Sequence, residues 1–300
     1  MTDEVFEKFY KRIEPNLKSY ELMRIGFLML VLISDIVIAA AIVYWFYESV
    51  LTLLSANHIK VIFVMVITGS FIYSYIKKEF EVKIKERIIE DFMECFSGFD
   101  WECWTLNDSQ IDRKTLKSTK ILPNFQENYS DDNFVGTYKG IPVKISEQTL
   151  KVGQGIYKTN VFNGIVIEYD FKDRVLFPAE VIVKDSGLFA PNGYEKVILE
   201  DAEFNRMFNV YSNNQIECRY ILTVGFMEKL KALKILFDAK NIALSFLGNH
   251  LYIAVDIGKD CFNIAKLSRR TDDKKLIEKM YNQFDFILKI TDLLQLTRKI

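Results

Sequence analysis

Three carboxylates crowd into four residues at Glu200, Asp201 and Glu203, and Arg219 follows downstream. Paired carboxylates are the chemistry of proton transfer, or of a divalent cation held by oxygen ligands. The same residues suit a helix start, with Asp201 and Glu203 capping a helix over 202–207 and Arg219 as a salt-bridge partner. Both readings stand at this point. Asp35 is a second candidate, because it is the one charge between Ile25 and Tyr47. An acid inside an apolar span is a functional candidate by default. Its partners would be Ser34, Thr68, Ser70 or another protein. Arg269, Arg270, Lys274 and Lys275 form a basic cluster suited to anionic headgroups, interrupted by Asp272 and Asp273.

Other motifs point away from common chemistries. There is no phosphate-binding loop and no nucleophile elbow. Gly153-Gln154-Gly155 lacks a third glycine and reads as a turn. His58 and His250 are the two histidines, and no His/Cys grouping has zinc spacing. Cys95 and Cys103 match no metal or redox motif. No metal and no cofactor is expected. Lys plus Arg is 39 and Asp plus Glu is 40, a net charge of −1. That balance leaves no global basic field for nucleic acid.

The elements that position these residues begin with an unequal spread of apolar side chains. Ile25 to Tyr47 is 23 residues, about 35 Å as a helix and enough to cross a bilayer core. Asp35 at mid-span costs about 2.5–3.5 kcal/mol on the insertion scale, while thirteen Leu, Ile, Val and Phe residues return roughly 6 kcal/mol. The span therefore still inserts. Val61 to Ile76 is shorter, but Lys60, Lys77 and Lys78 can snorkel to the interface. Ala39-Ala40-Ala41 fits a signal-peptide cleavage site. The apolar run starts late and continues past these alanines, which favours a retained anchor. Ala39 to Ala41 and Gly69-Ser70 are small enough for close helix approach.

Bases lie on both outer sides of this hairpin, at Lys8, Lys11, Arg12, Lys18 and Arg24, and at Lys77, Lys78, Lys83, Lys85 and Arg87. The link from Glu48 to Lys60 carries Lys60 alone. The positive-inside rule then puts both termini in the cytoplasm. In that reducing compartment Cys95, Cys103, Cys218 and Cys261 are expected as free thiols.

Phe80, Ile84, Ile88, Phe92 and Phe96 recur every four residues, which predicts an amphipathic stalk helix packing on the soluble domain. Residues 98–133 show no clear period and read as packed loops or short helices. Ile141, Val143 and Ile145 alternate with polar neighbours after a turn at Lys139-Gly140, which predicts a strand. Apolar runs at 164–169, 175–183 and 196–199 predict further strands. Phe208 to Tyr211 and Ile216 to Leu222 read as a hairpin about Ser212 to Gln215. Thr223 caps a helix with Phe226, Leu230, Leu233 and Phe237 on one face. Leu244 to Leu247 and His250 to Ile257 flank Gly248-Asn249 as a two-residue hairpin. A last helix runs from about Asp273 to Arg298. The order predicts an α+β class: an N-terminal two-helix transmembrane hairpin, then a cytosolic domain of helices and antiparallel sheet.

The stretch from Val197 to Thr223, with Phe226 to Leu230 after it, resembles the bacterial domain-of-unknown-function family 3137. Phe134 to Tyr138 and the Phe246 to Val255 hairpin fit the same pattern. The resemblance covers roughly residues 20–300, and 204–222 is its specific part. Cys218 and Val224 depart from the commoner Ala and Pro. It implies a bacterial inner-membrane protein with two spans and a cytosolic domain, and it implies no reaction.

The organisation read from the sequence is a cytosolic segment 1–24, a hairpin 25–76 with spans at about 25–47 and 60–77, a stalk 77–97 and a cytosolic domain 98–300. The expected role is a multi-pass, membrane-anchored interaction or scaffold module without catalysis of its own. The alternatives are an enzyme using the acidic cluster near the membrane, and a subunit of a transport or ion-handling assembly. Expected partners are the lipid bilayer and either a second copy of the chain or a membrane protein, with no nucleic acid.

Overall fold

A computed structural model of the chain describes residues 3–51, 56–94, 96, 99–106, 111–172, 177, 179–185, 191–259, 262 and 265–293. It divides into two compact units, residues 1–95 with 263–281, and residues 96–262 with 282–300.

The first unit is helical. Helix α1 (Asp3–Leu51) and helix α2 (Ala56–Met93) pack along each other. The first turns of α1 bury Phe6, Phe9, Ile13, Leu17 and Tyr20, a 3-4-4-3 spacing that forms a single stripe. The segment before the apolar run is thus a continuous part of the long helix. Phe80, Ile84, Ile88 and Phe92 of α2 are buried as their spacing predicts. The unit also holds residues 274–281, the start of the last helix, numbered α7 below. There Tyr281 packs on Phe9 at 4.5 Å, and Phe9 meets Phe92 edge-on at 5.3 Å.

Beyond Arg24 the character of α1 changes. Leu28, Met29, Leu30, Leu32 and Ile33 are all exposed, and Tyr47 is 68% exposed. A single stripe through Phe27, Val31, Ile38 and Trp45 is half-buried and the other faces are exposed, which is not the burial of a core helix. Among the described residues α1, over Glu4–Tyr47, is the one helix long and apolar enough to cross a membrane. In α2, Phe63, Val64, Phe71 and Tyr75 are exposed too. A Cβ on Gly69 would come within 2.9 Å of the Ile38 side chain, so the two helices approach closely there.

Among the described residues the second unit is built on nine antiparallel strands in the order β1-β2-β3-β4-β9-β8-β5-β7-β6. They are β1 (Phe99–Leu106), β2 (Glu127–Tyr138), β3 (Ile141–Val152), β4 (Thr159–Asp170), β5 (Val181–Lys184), β6 (Glu195–Val197), β7 (Asn209–Ser212), β8 (Asn241–Leu247) and β9 (His250–Asp256). The helices are α3 (Arg113–Ser118), α4 (Ala202–Met207), α5 (Gln215–Ile221), α6 (Val224–Phe237) and α7 (Lys274–Leu293), the last counted with this unit from Asn282 on. The α+β class is as the sequence implies.

Period-2 alternation decides which residues meet. Val143, Ile145, Ile165, Ile167, Tyr169, Leu251, Ile253, Leu244 and Phe246 are fully buried on one face. Phe226 of α6 packs on Phe246 at 5.7 Å, and the Tyr169 hydroxyl donates to the Ile287 carbonyl of α7 at 2.6 Å. The opposite face, with Leu150, Phe162, Val166, Ile182, Tyr211, Tyr252 and Ala254, is partly covered by Ile111, Leu116, Ile121 and Phe125. The β2–β3 turn sits at Lys139 (φ 51°) and Gly140 (φ 75°), the positive pair that a tight two-residue hairpin requires. The Gly248-Asn249 hairpin forms as predicted, with Leu247 opposite His250.

Two expectations are corrected. Residues 98–133 are not loops and short helices alone, because β1 and the first half of β2 lie there with α3 between them. Ile216 to Leu222 is not the second arm of a hairpin but helix α5. The Asn214 side chain accepts from the backbone N–H groups of Ile216 and Glu217 and starts the helix. The alternation that suggested a strand hides an i, i+4 pair: Cys218 and Leu222 are buried, whereas Ile216 and Tyr220 are exposed.

Candidate functional site

The acidic run resolves around a lysine that the sequence reading passed over. Lys231 on α6 lies 3.2 Å from Asp201, 2.8 Å from Glu203 and 2.7 Å from Glu228, with its side chain 10% exposed. Asp201 also caps α4, accepting from the N–H groups of Glu203 and Phe204 at 2.9 Å each. The Phe204 N–H and Lys231 hold the Asp201 carboxyl below its usual range. Glu203 and its neighbours push the Lys231 ammonium up. Glu200 stands apart, exposed and 3.5 Å from Arg219. Arg219 lies on α5 rather than a strand, and donates to the carbonyls of Gln215 and Ile198. These carboxylates are spent on a cap and on one ammonium. Among the described residues no His/Cys/Asp/Glu group could hold a metal ion. The signal for Lys231 was its position three residues after Glu228 on the helix face (i, i+3) that follows the acidic run.

The basic cluster is half committed. Arg270 is paired with Asp272 at 2.8 Å, and Lys274 with Glu7 at 2.5 Å while it also covers the Phe6 and Tyr10 rings. Arg269 and Lys275 are exposed. In the same unit Glu21 accepts four hydrogen bonds. It accepts from Arg24 at 2.9 and 2.7 Å, and from the N–H and hydroxyl of Thr271 at 3.0 and 3.2 Å. Burial opposes the Glu21 charge, but the Arg24 and Thr271 donors outweigh it and hold the carboxyl below its ordinary value.

Asp35 is exposed on α1. Its proposed partners spend their hydroxyls on their own helices: Ser34 on the Val31 carbonyl, Thr68 on Val64 and Ser70 on Val66. His250 joins a satisfied row across β3, β4 and β9. The Tyr252 hydroxyl donates to Glu168 at 3.1 Å, Lys144 lies 3.3 Å from the same carboxylate, and His250 lies 3.5 Å from it. Gly153-Gln154-Gly155 is a turn between β3 and β4, with both glycines at positive φ. Cys218 is a buried free thiol, its pKa raised to about 11 by burial. Cys95 and Cys261, the Cys103 and Trp104 side chains, the His58 side chain and residues 294–300 lie outside what is described.

The feature most like a binding site is a cleft of about 280 Å3 in the second unit. Its floor is apolar, with Phe162 of β4, Ala243 of β8 and Ala254 of β9, closed on one side by Ile121 to Pro123. Its polar wall is Lys184, Asp185, Asn241 and Asp256. The Asp185 side chain is 2% exposed. Its Oδ2 accepts from Lys234 and from the Ile242 N–H, both at 2.8 Å, while its Oδ1 is buried without a partner. Lys184 forms no ion pair among the described residues, and burial lowers its pKa. Sequence reasoning missed this site. Its one signal was a Lys-Asp pair closing the apolar run Val181-Ile182-Val183.

The family model described as "Protein of unknown function (DUF3137)" matches residues 160–296. This match supports membership of the DUF3137 family over that span. No curated protein and no solved structure matches the chain. The DUF3137 span takes in β4 to β9 and α4 to α7, and with them the Lys231 cluster and the whole polar wall of the cleft. The Ile121 to Pro123 side of the cleft is contributed from outside the DUF3137 span.

Proposed function

We propose that this chain is a multi-pass membrane protein of the bacterial inner membrane, with two spans near 25–47 and 60–77 and both termini in the cytoplasm. Its sheet unit is an interaction module without catalysis of its own. The observation that carries this reading is that α1 beyond Arg24 is apolar and exposed on every face except the half-buried stripe that meets α2. An apolar helix covered by protein along one stripe alone needs lipid for the rest of its surface. The exposed Phe63, Val64, Phe71 and Tyr75 of α2 favour a second crossing, and the flanking bases favour cytoplasmic termini. The acidic run's commitment to Lys231 and to the α4 cap supports a binding role over an enzymatic one.

Asp35 bears on partners. A carboxylate at mid-span whose candidate partners Ser34, Thr68 and Ser70 bond their own helices is stabilised by a group from another chain, which favours self-association or a membrane partner. The test is a pair of fusions after Ile300 in a bacterial host. A cytoplasmically active fluorescent reporter together with an inactive alkaline phosphatase supports the topology. The reverse pattern overturns it.

A further inference from the structure

We propose that the cleft beside β5 binds a small zwitterion with an apolar body, of the class of the aliphatic α-amino acids. The polar wall sets the head-group chemistry. Lys184 offers a cation that forms no ion pair among the described residues, beside an apolar floor. An anionic group on the ligand supplies what the fold does not. Asp256 offers the complement: its Oδ1 accepts from the N–H groups of Asn163 and Gly258, and its Oδ2 forms no hydrogen bond or ion pair among the described residues. An ammonium group on the ligand would supply that oxygen with a donor.

Charge balance separates a zwitterion from a simple anion. Asp185 is neutralised by Lys234, which leaves Lys184 against Asp256. The wall then sums to zero, and a ligand with one charge of each sign leaves that sum unchanged. Asp256 uses its Oδ1 on the N–H groups of Asn163 and Gly258, which orients the carboxylate at the cleft wall. Size sets the body. About 280 Å3 is the room of roughly nine water molecules, just under the usual range for drug-sized ligands. Phe162, Ala243 and Ala254 present an apolar floor to a short hydrocarbon side chain.

This inference goes beyond the anchored-module reading and fails independently of it. The test is equilibrium dialysis of the detergent-solubilised full chain against radiolabelled L-leucine. Expected is saturable binding approaching one per chain, competed at least tenfold better by unlabelled L-leucine than by leucinamide, 4-methylpentanoate or glycine. Those competitors lack the carboxylate, the ammonium and the side chain in turn. Lys184→Gln should weaken binding at least tenfold. Lys229→Gln, on exposed α6 surface outside the cleft wall, should leave it within twofold. Absence of saturable leucine binding by the folded wild-type chain overturns the proposal. So does equal competition by leucinamide, or full binding by Lys184→Gln.

Discussion

Glu21→Ala is the sharpest probe of how the chain returns to its first helix. Glu21 on α1 receives four hydrogen bonds, two from Arg24 and two from Thr271. The Glu21 and Arg24 side chains are only 9% and 13% exposed. Truncation leaves the Thr271 N–H without its acceptor and a mostly buried guanidinium with the Leu267 carbonyl but no counter-charge from Glu21. Breaking a buried pair from one side costs about 3–5 kcal/mol. At about 1.4 kcal/mol per decade, the lower figure alone makes local opening roughly a hundredfold more frequent. Hydrogen exchange at the Thr271 amide reads this directly, since that N–H is the bonded donor. The expected result is exchange at least a hundredfold faster around residues 269–273, with the Val210 and Leu244 strands unaffected. Glu21→Gln keeps an acceptor for Thr271 but loses the charge, and should fall between wild type and Ala. The carboxyl is held below its ordinary value of 4.5 in the folded chain, so its stabilisation is complete above that value. It disappears as pH falls through the folded pKa. Protection at Thr271 should therefore be flat from pH 8 to 5 after correction for intrinsic exchange, and drop in acid. Unchanged exchange in Glu21→Ala would refute the reasoning.

Other outcomes follow from the second unit. Leu233→Ala, a fully buried position on α6, should cost about 2–5 kcal/mol in urea unfolding. Asn214→Ala removes the cap of α5 and should cost about 1 kcal/mol by the same assay, whereas a strand at 216–222 would barely register it. Cys218, buried with its thiol raised to about 11, should resist maleimide at pH 7 in the native chain and react on unfolding. Calorimetric titration with Mg2+ or Mn2+ should give no saturable heat that Glu203→Gln removes. Such a heat would revive the enzymatic reading of Glu200, Asp201 and Glu203.

What the sequence disclosed depended on whether one signal acted alone. The α6 stripe and the Gly248-Asn249 hairpin were legible because period, cap and turn chemistry agreed with the final packing. The Phe80 to Phe92 spacing was legible for the same reason. Helix α5 was misread because Ile216, Cys218, Tyr220 and Leu222 alternate, and only the buried pair Cys218 and Leu222 reveals the true period. Strand β1 was hidden because its partner β2 begins more than twenty residues on, and pairing at that distance leaves no local signature. The acidic run was visible, but its meaning was set by Lys231, thirty residues from Asp201. The cleft was invisible for a related reason. Its wall joins Lys184 and Asp185 to Asn241 and Asp256, residues brought together by β5 pairing with β8 and β8 with β9.

The claim on which the rest depends is that α1 beyond Arg24 lies in lipid. Alkaline carbonate extraction of membranes from cells expressing the full chain tests it most directly. The account predicts that the chain stays in the membrane pellet and leaves it only with detergent. Quantitative release into the carbonate supernatant as a monodisperse species would contradict it.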